Sequence, residues 1–313
     1  MHAAILRYFT TVAELGTIRK ASRRLHVSAS AVNRQILNLE ELIGEPVFER
    51  RRTGMKLTEA GEIVFRHCRV TLQDFARMRS EIDARRGRIT GTVRILTLDS
   101  MTVQFLPQAL VRFHAAHPLV EMHVRSADPG ATIGHVSRGE ADIGFGFHDT
   151  GRAGASVVER IRTPLQVLMH PEHPLARKSM VTLDQCEGHP LIYQYHSTAV
   201  DSILGEDVQA LRERTSPVVT SNTLALTKSF ILTGMGIALF TAVGFLDEIT
   251  EGRIVAVPVD DARLSSLEMA LVVPKNQVST VAATTLTSHL KVELRQFSQR
   301  LDRAYSKGAA IRG

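Results

Sequence analysis

The stretch TIRKASRRLHVSASAVNRQILNLE, residues 17–40, decides how this chain reads. Thr17 and Ser28 each stand where a helix can begin, because a hydroxyl there accepts from a free backbone N–H of the first turn. Between them Ile18 to Leu25 is expected to be a short helix, with Ala21 small enough for close packing, and His26-Val27 a tight turn. After Ser28, Val32, Ile36 and Leu39 recur at spacings of four and three, the stripe of an amphipathic helix. Two short helices across a tight turn, patterned in this way, read as a helix-turn-helix. A helix is also expected before them, because Ile5, Phe9, Val12 and Ala13 share one face and Gly16 stops it.

The outer face of the second helix carries Ser30, Asn33, Arg34 and Gln35. Asn and Gln can bond adenine bidentately, and Arg can grip guanine or a phosphate. Thr17, Lys20 and Ser28 complete the candidate DNA-contacting set of the motif. Further along, Gly44-Glu45-Pro46 breaks the helix. Val47-Phe48-Glu49-Arg50 and Met55-Lys56-Leu57-Thr58 are expected as two short strands joined by Arg51-Arg52-Thr53-Gly54. Arg50, Arg51 and Arg52 make this hairpin a basic wing, suited to phosphate contact or to a minor groove.

The charge distribution agrees. The 313-residue chain has a net charge of +6, and residues 1–90 hold 17 Lys and Arg against 10 Asp and Glu. The rest is close to neutral, with 21 against 22, so a polyanion partner is expected for the front alone. Aromatics are 5% of residues and Trp is absent, which excludes binding by a long row of stacked rings.

Thr58 can cap a long helix from Glu59 to about Arg86. Along it Val64, Cys68, Thr71, Phe75, Met78 and Ile82 recur at alternating spacings of four and three, a heptad seam. A narrow seam on a long charged helix predicts pairing with the same helix of a second subunit. Two recognition helices about one DNA turn apart would then read a two-fold-related site.

The front resembles the LysR-type transcriptional regulators. The matching segments are Leu6-Arg7-Tyr8-Phe9, Ala21 through Val27-Ser28, Arg34-Gln35-Ile36, Leu39-Glu40, Phe48-Glu49-Arg50 and Leu57-Thr58-Glu59-Ala60-Gly61. The later chain is similar to that family too. The chain departs from the family's frequent Gln-Pro after the Ser cap, which is Ala29-Ser30 here, and from its Ser before Arg-Gln, which is Asn33. The base preference of a relative therefore does not transfer. The resemblance implies a homodimer, commonly a homotetramer, and a two-lobed periplasmic-binding-protein-like effector domain.

The residues of the body read the same way. Strand patterns at Val93–Leu98, Val120–Ser126 and Ala141–Phe147 alternate with helical ones, which argues for a mostly parallel sheet with helices on both faces. A second group of strands is expected at Leu165–Met169, Leu191–Tyr195, Pro217–Ser221 and Ile237–Thr241, with Leu267–Pro274 returning to the first. The expected fold class is α/β with an all-α-dominated front. The expected domains are a winged helix-turn-helix at 1–58, a linker and dimerisation helix at 59–88, and an effector domain at 89–305. Its lobe 1 covers about 89–163 and 267–305, and its lobe 2 about 164–266.

In such a fold a ligand sits between the lobes, near strand C-terminal ends and helix N-termini. Ser100, Met101 and Thr102 follow the first strand, Asp128 follows the second, Phe147 ends the third, and His196 and Ser197 follow a strand of lobe 2. Ser100 matches the family's hydroxyl position before the first helix of the sensor. Asp99 and Asp128 are acidic groups that would oppose an anionic effector, so the effector class stays open.

Other signals point away from chemistry. Cys68 and Cys186 fit no metal or redox spacing. His170-Pro171-Glu172-His173 reads as a turn rather than a metal pair, and His114 and His117 have no evident third ligand. Gly234-Met235-Gly236 follows a helix and precedes a strand, the reverse of a nucleotide-binding order. No nucleophile–base pair stands out. No signal peptide or membrane span is read, so a cytoplasmic, non-enzymatic protein without metal or cofactor is expected. The expected partners are double-stranded DNA and a small-molecule effector. The competing reading is a solute-binding or enzymatic α/β module with an accessory basic N-terminal domain.

Overall fold

The computed structural model describes residues 3–52, 54–128, 130–147, 154–195, 203–275 and 277–310. The chain forms two compact units, Met1–Arg86 and Gly87–Gly313.

The first unit is three helices, a hairpin and a long helix. Helices α1 (Ala3–Leu15), α2 (Ile18–Leu25) and α3 (Ala29–Ile43) close around Phe9, Val12, Ala21, Val32, Ile36 and Leu39. Thr17 Oγ1 accepts from Lys20 N at 3.2 Å and Ser28 Oγ from Ala31 N at 3.1 Å, so both helices carry the side-chain caps their sequences predict. The turn between them needs a left-handed residue, and His26 takes it at φ 54°. Strands β1 (Phe48–Arg51) and β2 (Gly54–Leu57) pair antiparallel, with Arg51 opposite Gly54. Pairing thus continues to Arg51 and Gly54, two positions that the sequence reading placed in a four-residue loop. Gly54 allows this at φ +133° and lies so close to the α1–α2 turn that a Cβ would come within 2.4 Å of Gly16 O. Met55 N donates to that same oxygen at 2.7 Å, which pins the hairpin to the turn.

Helix α4 (Glu59–Arg85) is capped by Thr58, whose Oγ1 accepts from Gly61 N at 2.9 Å and donates to Pro46 O at 2.7 Å. Gly61 is required for close approach, since a Cβ there would lie 2.1 Å from Val47 O. Two residues of the expected heptad seam are spent inside this unit. Cys68 is buried in the core with Phe9 and Phe48, and Val64 packs against it. A helix face that closes its own unit's core is not open to a partner, so of the expected seam Thr71, Phe75, Met78 and Ile82 lie outside that core. Met78 and Ile82 are exposed.

The second unit has two lobes. In lobe 1 the sheet order is β4-β3-β5-β12-β6, from β3 (Gly91–Thr97), β4 (Val120–Ser126), β5 (Ile143–Phe147), β6 (Ala155–Arg162) and β12 (Glu268–Pro274). Strand β3 pairs parallel with β4 and β5, while β12 pairs antiparallel with β5 and β6. The sheet is mixed, not mostly parallel as the alternation suggested. The returning strand β12 runs against its neighbours, and β6 was not read from sequence. Successive side chains face opposite sides, so Ile95 joins the core under α6 (Phe105–Ala116) and the helix Val281–Ala310, while Leu96 joins that under α7 (Thr132–Ser137). Gly144 lets α7 approach, because a Cβ there would meet Val136 Cγ2 at 2.5 Å.

Lobe 2 holds an antiparallel sheet, β10-β7-β11, from β7 (Leu165–Met169), β10 (Ala238–Thr241) and β11 (Val255–Pro258). A parallel pair, β8 (Ile192–Gln194) and β9 (Val219–Ser221), adjoins it through the bridge Leu191↔Ile237. The two crossings between lobes run side by side, with Thr163 N donating to Leu267 O at 2.8 Å. No helix among the described residues is long and apolar enough to cross a membrane.

Candidate functional site

Two surfaces collect the candidate residues, one in each unit. In the first unit, Val32, Ile36 and Leu39 fix α3 on the core, which turns the opposite face outward. Ser28, Ser30 and Arg34 are exposed there, and Asn33 and Gln35 are half-buried. The hairpin joins this face through one bond: Arg50 Nη2 donates to Asn33 Oδ1 at 3.0 Å. Sequence reading treated Asn33 and Arg50 as separate contacts, and the structure couples them. Glu40 reinforces the junction, its Oε1 accepting from Val47 N at 2.9 Å. Arg51 pairs with Glu49 at 2.7 Å, and that bond holds the Glu49 carboxyl below its usual range. Arg52 and Lys20 are exposed as well. Fixed polar side chains on α3 beside a short arginine hairpin can contact base edges and phosphates together.

In the second unit a cleft of about 730 Å³ opens between the lobes. Ser100, Asp128 and Phe147 line it, as do Asp99, Tyr195 and Phe240. Two sequence expectations are corrected. Met101 is fully buried in the lobe 1 core, and Thr102 does not line the cleft but turns back, its Oγ1 donating to Asp99 O at 2.6 Å. Helix α5 (Asp99–Val103) is a single short turn, so only its first residues face the opening. His196 and Ser197 lie outside the described residues. Sequence reading missed Gln194, Asn222, Thr223, Leu239 and Phe240, which come from the end of β8, the segment after β9 and β10 and carry no local motif.

Asp99 does more than line the wall. Its Oδ2 accepts from Leu224 N at 2.8 Å, reaching from lobe 1 to the start of the lobe 2 helix Leu224–Leu232. That helix has no side-chain bond from its own cap, Thr223. Nearby, Lys228 Nζ donates to both Glu248 oxygens at 2.8 Å, and Gln104 Nε2 donates to Glu248 Oε2 at 3.3 Å.

Neither metal nor thiol chemistry stands out. Among the described residues, no three His, Cys, Asp or Glu side chains converge as a metal site. His173 instead caps a short 3₁₀ turn, its Nδ1 accepting from Leu175 N at 3.3 Å. Burial pushes the thiols of Cys68 and Cys186 up to about 11, which keeps them unreactive.

Comparison with known proteins covers both units. A family model described as "Bacterial regulatory helix-turn-helix protein, lysR family" matches residues 4–62, and "LysR substrate binding domain" matches 86–295. The transcriptional activator IlvY of Salmonella typhimurium is 31% identical over 180 residues, 58% of this chain and 61% of IlvY. The regulator AlsR of Bacillus subtilis is 31% identical over 189 residues, 60% of this chain and 62% of AlsR. These matches thus span about three-fifths of each relative's length. Among solved structures, a full-length OxyR variant from Pseudomonas aeruginosa superposes with a TM-score of 0.66 at 18% identity, over 94% of this chain and 95% of that one. Full-length CbnR in complex with its target DNA gives 0.59 at 18% identity, over 95% of this chain and 100% of that one. At such identities the likeness speaks to fold.

Proposed function

The chain belongs to the LysR family of bacterial regulators, and on that premise we propose that it is a sequence-specific DNA-binding transcription regulator tuned by a small-molecule effector. One observation carries the reading: a capped recognition helix whose outward Asn33 is bonded to Arg50 of an arginine hairpin. The excess positive charge of the chain lies in the same region. Asn33, Gln35 and Arg34 read base edges, and Ser28, Ser30, Thr17, Lys20, Arg50, Arg51 and Arg52 hold the backbone. The relatives IlvY and AlsR are described as an HTH-type transcriptional activator and an HTH-type transcriptional regulator, which supports the same role here.

The interlobe cleft takes the effector, with Ser100, Asp128 and Phe147 among its contacts. The exposed Met78 and Ile82 of α4 face a second copy, so the working unit is a homodimer or a homotetramer in the cytoplasm. An effector that prefers one lobe arrangement shifts the assembly toward the state compatible with it, and DNA occupancy follows. The protein is not an enzyme in this account.

Footprinting on the DNA upstream of the protein's own gene tests the reading. A protected site with two related halves, lost steeply as salt rises, is expected. Uniform, sequence-blind binding, or none at low salt, overturns it.

A further inference from the structure

We propose that the second unit holds a second small-molecule site, separate from the interlobe cleft, and that it takes an uncharged apolar molecule with a hydroxyl head. The inference does not depend on how the cleft is read.

A cavity of about 510 Å³ lies where strand β11, the short helix Leu246–Thr250 and the helix Val281–Ala310 meet. That is room for a small molecule. None of its described lining residues also lines the cleft. Ala176, Ile249, Ile254, Val255 and Ala256 give it apolar walls. An occupant would touch both lobes, because β11 belongs to the lobe 2 sheet while the helix Val281–Ala310 sends Leu290, Leu294 and Leu301 into the lobe 1 core.

Two polar atoms in this wall have no partner. Most buried polar atoms are hydrogen-bonded, and one that is not costs free energy. Among the described residues, Gln104 Oε1, Thr163 Oγ1, Gln166 Oε1 and Tyr305 Oη are buried without a hydrogen bond. Gln166 and Tyr305 both line this cavity, and none of the four residues lines the cleft. Gln166 is 4% exposed. Burial pushes the Tyr305 phenol above its ordinary value, so it stays a donor. Gln166 Oε1 is an acceptor. One ligand hydroxyl serves both, accepting from Tyr305 Oη and donating to Gln166 Oε1. A carboxylate has no proton to give Gln166, and an ammonium has no lone pair to take from Tyr305. An entering head group reaches the two oxygens with a small turn of either side chain, and neither oxygen holds a bond that resists the turn.

The charges around the cavity do not ask for an ion. Its described charged lining residues are two of each sign, Asp247 and Glu251 against Arg300 and Arg303. Asp247 pairs with Arg300 at 3.3 Å and Glu251 with Arg253 at 2.6 Å, all four side chains close to half exposed. Next to Tyr305, Asp302 and Arg162 act on the phenol in opposite senses. An ionic head that reached the buried oxygens would give up its hydration at a large cost, whereas a hydroxyl exchanges two bonds to water for two to the protein.

The test uses the full-length chain and three probes on one skeleton: cyclohexylmethanol, cyclohexanecarboxylate and cyclohexylmethylammonium. Affinities are read by ligand-observed NMR at constant ionic strength. Tyr305→Phe keeps the ring and removes the oxygen, and Gln166→Met keeps the chain length and removes the amide. Each should weaken cyclohexylmethanol about five-fold, the worth of one hydrogen bond, and leave any binding of the two ions unchanged. Neither should lower the melting temperature, because neither oxygen has a partner to lose in the free protein. A merely structural role predicts the reverse, a lower melting temperature with affinity unmoved, and that result overturns the inference. Cyclohexylmethanol that fails to bind, or that binds the parent and both variants alike, overturns it too. So does an ion that binds as tightly as the alcohol and is weakened by the same two substitutions. None of these results bears on the effector reading of the cleft.

Discussion

The DNA-facing surface and the interlobe cleft are built on opposite electrostatic plans. The first draws on residues 17 to 52, exposes arginines and leaves most of their charge open to solvent. The second draws on residues 98 to 241 and carries Asp99 and Asp128, whose carboxylates accept from Leu224 N and Gly130 N. A long polyanion is held by many weak, screened contacts, so open positive charge serves it and salt weakens it. A small ligand needs an enclosed space in which each group has a defined partner. The two surfaces should therefore respond differently to salt, truncation and substitution.

The largest expected effect is truncation. Removing residues 1–86, the whole first unit, should reduce operator affinity by at least roughly 10³-fold, the usual gap between specific and non-specific binding. The remaining unit should keep its ligand affinities in the NMR assay. Retention of operator binding by the truncated chain would refute the division of labour.

Next comes Gly61→Ala. Alanine normally strengthens a helix interior by about 0.5–1 kcal/mol over glycine. Here the added Cβ would lie 2.1 Å from Val47 O, so the sign should reverse, with a loss of about 1–3 kcal/mol as in other overpacked sites. Calorimetry should show the transition of the first unit falling and that of the second unmoved. A stabilised first unit would contradict the close approach.

Asn33→Ala should relax base preference by about 1–3 kcal/mol if its contact is bidentate, and it also frees Arg50. Binding to a randomised operator library measures this, and unchanged sequence preference would remove Asn33 from base reading. Arg52→Ala should instead weaken all sequences alike and lower the salt slope by about one. Arg51→Ala should cost less, because Arg51 already shares its charge with Glu49 at 2.7 Å. Equal slopes for the two variants would show that the Glu49 pair does not persist on DNA.

The smallest effect is a pH dependence in lobe 2. Burial, then the neighbouring His189, holds the His173 imidazole below its ordinary value of 6.5. Its Nδ1 must be unprotonated to accept from Leu175 N. The unfolded chain takes up this proton first, so the contribution is present above pH 6.5 and is lost as pH falls through the lowered folded value. Urea melts between pH 7.5 and 5 should show a slope that His173→Asn flattens. An unaltered slope would place the titration elsewhere.

The first unit was legible because its signals are local. Thr17, Ser28 and Thr58 cap helices through atoms three residues away, and the stripe Val32, Ile36, Leu39 has the period of one helix. The wing's strands were read in the right register but one residue too far from the tip, since the approach of Gly54 to Gly16 is a contact between distant positions. The seam on α4 was overread for a related reason. Periodicity shows that Val64 and Cys68 share a face with Ile82, but not what each part of that face meets. In the body, β6 has no clean alternation and did not stand out from its neighbours, and β11 was not read either. Met101 was placed in the cleft by proximity to Ser100, and the single turn of α5 rotates it into the core.

The sequence by itself determined the helix starts, the apolar stripes, the basic front and the family, because each rests on residue type and short spacing. Only the tertiary structure decided that Asp99 caps a helix in the other lobe, 125 positions further on, and that Arg50 rests on Asn33. Hydrogen bonds form between atoms within about 3 Å in space, and chain distance says nothing of that until the fold has brought the partners together.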